Sequence, residues 1–194
     1  MSLDIDQFWQ DEFTAHHDVI DTTRDHLAGP FAQLIDVCET SIRNGGKILF
    51  FGNGGSAADA QHLATELTVR YKQDRPAIAA IALTTDTSAL TAIGNDFGFE
   101  DLFSRQVDAL GNKGDVAICI STSGNSANVM KAIDMAKQKG VTVVGWTGQS
   151  GGKMADMCDI LLNVPSTVTA RIQEMHILIG HSLCGALEQK LELV

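Results

Sequence analysis

Apolar positions recur along this chain in two periods, and the period changes near residue 47. Before it, Ile5, Phe8, Trp9, Phe13, Val19, Ile20 and Leu27 return at roughly helical spacing among Asp, His and Arg, which predicts an amphipathic helix over residues 4–28. Gly29-Pro30 predicts a break, because proline lacks the N–H that a helix interior needs. A second helix is expected from about Phe31 to Arg43, stopped by Asn44-Gly45-Gly46. Two helices before the first strand exceed what one α/β sheet uses. Residues 1–45 are therefore expected either to pack against another subunit or to cap their own chain.

Beyond residue 47 short apolar runs alternate with helical patterns. Strands are expected at Ile48–Phe51, Ile78–Leu83, Asp115–Ile120, Val141–Trp146 and Ile160–Val164. Helices are expected from near Ser56 to Tyr71, in a short piece before Gly94-Asn95-Asp96, over Leu102–Leu110, from Ser126 to Lys139, briefly after Gly148–Gly152, and from Val168 to the C-terminus. Continuous apolar strands separated by helices predict an α/β fold: a five-stranded parallel sheet flanked by helices on both faces, with extra N-terminal helices. The whole of residues 1–194 is read as a single domain.

Composition narrows the function classes. The net charge is −10, from 14 Lys and Arg against 24 Asp and Glu, so no surplus of basic surface points to nucleic acid or an acidic membrane. No apolar run reaches the ~18–20 residues of a membrane span. The start, MSLDIDQFWQDEF, is acidic and lacks a leader pattern, and the expected location is cytoplasmic. Cys38, Cys119, Cys158 and Cys184 are scattered without CxxC spacing and are read as reduced core thiols.

Two segments share one plan. FFGNGGSAADA and CISTSGNSANV are each strand, small-residue turn, helix. Ligands of open α/β sheets bind at the C-terminal ends of strands, where both turns fall. The second turn sets four hydroxyls, Ser121, Thr122, Ser123 and Ser126, around one glycine before a helix. Hydroxyls plus unpaired helix N–H groups suit a phosphate monoester without a cation. No GK[ST] and no GxGxxG follows, so neither a nucleoside triphosphate loop nor a dinucleotide fingerprint is indicated. On the first helix His62 and Glu66 stand four residues apart on one face, as a metal half-site, a proton-transfer pair or a solvated face. Near the C-terminus Gln173, Ile177 and His181 form one stripe, an odd polar pair for a core face; His176 lies off it without evident role.

GNGGSAADAQH, STSGNSANV, and ARIQEMH followed by His181 resemble the sugar isomerase (SIS) domain family, and within it the phosphoheptose isomerases. The resemblance covers nearly the whole chain. It implies a three-layer, flavodoxin-like sheet and a homotetramer. It implies an aldose–ketose isomerase that converts D-sedoheptulose 7-phosphate to D-glycero-D-manno-heptose 7-phosphate, toward the ADP-heptose of lipopolysaccharide core. Carried across, Asn53, Gly54, Gly55, Ser56, Asn95, Asp96 and Gln173 contact substrate, and Ser121, Thr122, Ser123 and Ser126 hold its phosphate. Glu66, which also contacts substrate, and His181 are the catalytic pair. Where members bind zinc, one ion per subunit, the matching ligands are His62, Glu66, Gln173 and His181. Some members carry an acidic residue where this chain has Ala170. The family also contains non-catalytic binding modules that associate with the bacterial replication initiator, sugar-phosphate sensors, and isomerases of other phosphosugars. Binding modules need neither Glu66 nor His181, and sensors carry a DNA-binding domain for which the ~45 residues before the first strand leave no room.

Overall fold

The computed structural model describes residues 3–194; Met1 and Ser2, the first residues of the acidic start, lie outside the described residues. The elements run α1 (Ile5–Arg43), β1 (Ile48–Gly52), α2 (Gly55–Thr68), β2 (Ala80–Ala82), α3 (Thr87–Asp96), α4 (Ser104–Leu110), β3 (Val116–Ile120), α5 (Ala127–Gln138), β4 (Thr142–Thr147), β5 (Ile160–Asn163) and α6 (Thr169–Lys190). Short 3-10 turns occupy Phe99–Asp101 and Gly152–Asp156.

All five strands are parallel, in the order β2-β1-β3-β4-β5. Successive strand residues point to opposite faces, and both faces are buried. Ile48, Phe50, Ile118 and Trp146 pack with Leu34, Leu63, Ile172 and Leu183 of α1, α2 and α6. Leu49, Phe51, Ala117 and Cys119 pack with Phe103, Val107, Val129 and Ile133 around α4 and α5. This is the three-layer sheet that the apolar runs predict.

The N-terminal region differs from expectation. Gly29-Pro30 does not divide it; one 39-residue helix runs through with Pro30 inside. An interior proline costs about 3 kcal/mol. The stripe Leu27, Leu34, Ile35 and Cys38 is buried on both sides of Pro30, and the gain from that continuous packing on α6 and β5 exceeds the local loss. The C-terminal half of α1 thus caps its own chain. The N-terminal half is held more loosely, by Glu12 to Arg171 and His16 to Glu174 of α6 at 2.8 and 2.6 Å, and Ile5, Phe8, Trp9 and Phe13 stay exposed.

Other departures are smaller. β2 is trimmed to three residues, α2 stops at Thr68, and the turn after Gly151 is 3-10. All four cysteines are free; Cys38, Cys119 and Cys184 are buried and Cys158 is half-buried. Burial pushes every thiol up, Cys158 and Cys184 to about 12, which keeps them protonated and inert.

Candidate active site

β1 and β3 are neighbours, but α2 and α5 leave toward opposite faces of the sheet. Their loops part and open a crevice at the C-terminal edge, the usual ligand position in such sheets. Two amides bridge it: Asn53 Nδ2 donates to Asn128 Oδ1 and Asn128 Nδ2 donates to Asn53 Oδ1, both at 2.9 Å. On the β3 side the Ser121 and Ser126 hydroxyls are 2.9 Å apart, and the Asn125 N–H donates to Ser123 Oγ at 3.2 Å. Gly124 turns this loop at φ +64°, where a side chain would strike the Gly151 carbonyl. The Met154 N–H donates to the Gly124 carbonyl at 3.1 Å, so the hydroxyl loop is braced on the loop after β4. A cleft of about 440 Å³ continues outward between Thr122, Ser123, Gln149, Ser150, Thr167 and Thr169.

The helix starts at the crevice carry no side-chain caps. Asp4 and Asp86 accept from the first-turn N–H groups of α1 and α3 at 3.1 and 3.0 Å. Gly54 and Ser126, at the same position of α2 and α5, make no such side-chain bond. In α2 the Ser56 and Ala57 N–H groups turn back onto the Asn53 and Gly54 carbonyls at 3.1 and 3.0 Å, whereas the first N–H groups of α5 stay unspent at the positive end of that helix and can receive an anion.

A second group of polar side chains lies along the flank where α2 meets α6. His62 Nε2 and His181 Nε2 are 2.8 Å apart, and Glu66 Oε1 is 3.6 Å from His62 Nε2. Such a contact needs an N–H on one ring and a lone pair on the other, so the two imidazoles share one proton. The His62 side chain is 45% exposed and Glu66 21%, so both can be reached by solutes. Asp59, one turn earlier on α2, has a buried Oδ2 without a partner. Burial raises its carboxyl to about 6, against an opposing pull from His62.

The structure brings together only some of the predicted residues. Asn53, Gly54, Gly55, Ser56, Ser121, Thr122, Ser123 and Ser126 surround the crevice, Ser56 being buried beneath it. His62, Glu66 and His181 meet on the flank. Gln173 does not join them: a Cβ on Gly55 would sit 2.5 Å from its Nε2, which puts its amide against the start of α2. It stands eight residues, about 12 Å of helix, before His181. Asn95 and Asp96 are exposed at the end of α3 and bond to each other at 2.7 Å. Asn128 and Asp59 are the functional candidates that sequence patterns missed. An Asn inside a helix and one Asp among many carry no distinctive spacing.

His176, without evident role in the sequence, is fully buried and bonds through Nε2 to the Thr147 carbonyl at 3.2 Å, tying α6 to the end of β4. Burial pushes its imidazole down to about 4, against a smaller upward pull from that bond.

The SIS domain model matches residues 12–148, more than half of the chain, so the fold and the hydroxyl-lined crevice are those of a sugar isomerase domain. The chain is 56% identical to a phosphoheptose isomerase of Paramagnetospirillum magneticum, over 93% of this chain and 94% of that protein. Two solved structures agree. A phosphoheptose isomerase from Neisseria gonorrhoeae superposes with TM-score 0.90 at 47% identity, covering 95% of this chain and 99% of that one. One from Francisella tularensis gives TM-score 0.93 at 38% identity, covering 97% and 100%. The chain belongs to the phosphoheptose isomerase family.

Proposed function

We propose that this protein is an aldose–ketose isomerase that interconverts D-sedoheptulose 7-phosphate and D-glycero-D-manno-heptose 7-phosphate. The observation that carries it is the pairing, in one chain, of an anion crevice with free helix N–H groups and a flank where a carboxylate meets two imidazoles. A module that only binds a sugar phosphate needs the first and has no use for the second.

The 7-phosphate sits on the Ser121, Thr122, Ser123 and Ser126 loop and the open start of α5. Asn53 and the Gly54-Gly55 turn bear on the sugar. Glu66 takes the proton from C1 of the ketose, the electrons of that C–H bond form the enediol, and Glu66, after exchanging its proton with solvent, delivers one to C2. His181 moves the oxygen-bound proton, from the C1 hydroxyl to the C2 oxygen, so that the aldehyde forms at C1. His62, sharing a proton with His181, fixes which nitrogen is free to accept.

Glu66 lies eleven residues past Gly55, about 16 Å along α2. The base of one chain is thus remote from its own crevice. We assign the working form as a homotetramer in which the flank of one subunit completes the crevice of another. The exposed Ile5, Phe8, Trp9 and Phe13, and the apolar groove between Ile20, Leu27, Phe31 and Leu178, supply surface for that association.

The donor set suits zinc, since two nitrogens and a carboxylate oxygen converge where one proton now sits. Among the described residues no three His, Cys, Asp or Glu already enclose a point; His62, Glu66 and His181 would be the ligands, with Gln173, now against Gly55, a weak fourth. Held there, zinc would supply Lewis-acid polarisation of a substrate oxygen. We place the enzyme in the cytoplasm, at the first step toward ADP-heptose for lipopolysaccharide core.

The test is incubation with sedoheptulose 7-phosphate in D2O, with chelator and with added zinc. Aldose phosphate carrying deuterium at C2, absent in His181→Ala, is expected. No product under any metal condition, with the sugar phosphate still bound, overturns the isomerase and leaves a binding module.

A further inference from the structure

Tyr71 follows α2 by three residues and has no part in the scheme above. Its ring lies against the His181 imidazole, with centroids 5.6 Å apart and planes 23° apart. His62 meets the same imidazole edge-on, at 5.1 Å and 77°. His181 is therefore held on a face by one ring and at Nε2 by another.

The phenol ring is itself fixed by buried groups. Glu188, on α6 two turns past His181, is 2% exposed. It accepts from the Tyr71 N–H at 3.0 Å and from Arg75 Nε at 2.9 Å. The Arg75 side chain is fully buried and donates to the carbonyls of Leu67 and Glu66 at 2.7 and 2.8 Å, closing the last turn of α2. Gly185, one turn past His181, leaves the slot for the ring: a Cβ there would stand 3.2 Å from Tyr71 Cε1. A charged pair without access to water serves neither binding nor proton transfer directly. It locks the α2 exit, and with it Tyr71, to the helix that carries His181.

We propose that Tyr71 is a positioning residue that sets the plane of the His181 imidazole, so that its Nε2 faces His62 and Glu66 in one orientation. The torsion that turns an imidazole about its Cβ–Cγ bond is broad, and a half-exposed histidine otherwise samples ring orientations of which one serves the reaction. Misplacing a catalytic group slightly is enough to lower turnover by about a hundredfold. The catalytic readout rests on the isomerase proposal above; the spectroscopic one does not.

The experiment compares Tyr71→Phe and Tyr71→Leu in the full-length protein. It reads kcat and KM on sedoheptulose 7-phosphate, the melting temperature, and the NMR shifts of the His181 ring protons. Phe keeps the stack: kcat within about twofold and the upfield ring-current shift retained. Leu removes it: the shift is lost and kcat falls about tenfold or more with KM nearly unchanged. Wild-type kcat in Tyr71→Leu overturns the proposal, as does a loss of kcat that equals the fraction unfolded. Equal loss in Phe and Leu overturns it too, because the hydroxyl and not the plane would then matter. If the wild-type protein isomerises nothing, the isomerase reading has failed on its own, and identical His181 shifts in the Phe and Leu variants would still exclude positioning.

Discussion

The crevice and the α2–α6 flank satisfy their polar groups in opposite ways. In the crevice nearly every side chain already has a partner: Asn53 with Asn128, Ser121 with Ser126, Ser123 with the Asn125 N–H. What remains free is main chain, at the start of α5. On the flank the side chains themselves are the loose ends. Two imidazoles share one proton, Glu66 stops at 3.6 Å from His62, and Asp59 keeps an unpaired oxygen. A group that only holds an anion gains from rigidity, since fixed donors need no reorganisation. A group that accepts and releases protons has to keep an unfilled valence.

Substitutions separate the two ends, and the largest effect is expected on the flank. Glu66→Gln keeps shape and hydrogen bonding but cannot take a proton from carbon. It should lower kcat by about 10³-fold with KM little changed. Turnover near wild type would remove the chemistry from the flank. Ser126→Ala acts at the other end. Losing one hydrogen bond to a charged phosphate should raise KM about tenfold, with kcat within a few fold. A loss confined to kcat would show that the loop does more than hold.

His176 on α6 and Asp59 on α2 extend the comparison to pH. His176 is buried with its imidazole lowered to about 4, while the unfolded chain titrates near 6.5. A lowered folded value means that its stability contribution is present above 6.5 and is lost as pH falls toward 4. Between pH 7 and pH 5 urea denaturation should find about 2 kcal/mol less stability, and His176→Gln should remove most of that slope. The smallest effect concerns Asp59, whose raised carboxyl costs the fold stability progressively as pH rises from about 4 to about 6, the loss being complete above that. Asp59→Asn should raise the melting temperature by a degree or two at pH 8 and leave it unchanged near pH 4, the gain being limited because the group is partly solvated. A lower melting temperature at pH 8 would mean that the lone oxygen has a partner.

The sheet was legible because five apolar runs bounded by turn residues admit few alternatives, and each loop followed from a strand giving way to small residues and a helix. The single helix α1 was not, because Gly29-Pro30 is a strong local signal that loses to packing on both sides of it. Residue types on the flank were legible, since His62, Glu66 and His181 share helix faces. Their mutual contact followed only from the family resemblance, because helix periodicity does not say how far α2 slides along α6. The same register sets Gln173 against Gly55 at the start of α2 and brings Tyr71 to His181. The Asn53–Asn128 bridge was hidden for a related reason: its two halves are 75 residues apart and meet only through strand order.

The open start of α5 carries a consequence for mutational maps. Donors that belong to the peptide backbone cannot be deleted by trimming a side chain. A scan that replaces residues with alanine will therefore read much of the anchoring half of the site as tolerant. Sensitivity should concentrate instead where the backbone path itself is at stake. Gly54 adopts φ 57° and ψ −121°, a region that any Cβ disfavours, although nothing lies within 4 Å of where that Cβ would go. At such a position the harm from alanine comes from bending the path and not from touching a neighbour, and a catalogue of lost contacts would never single it out.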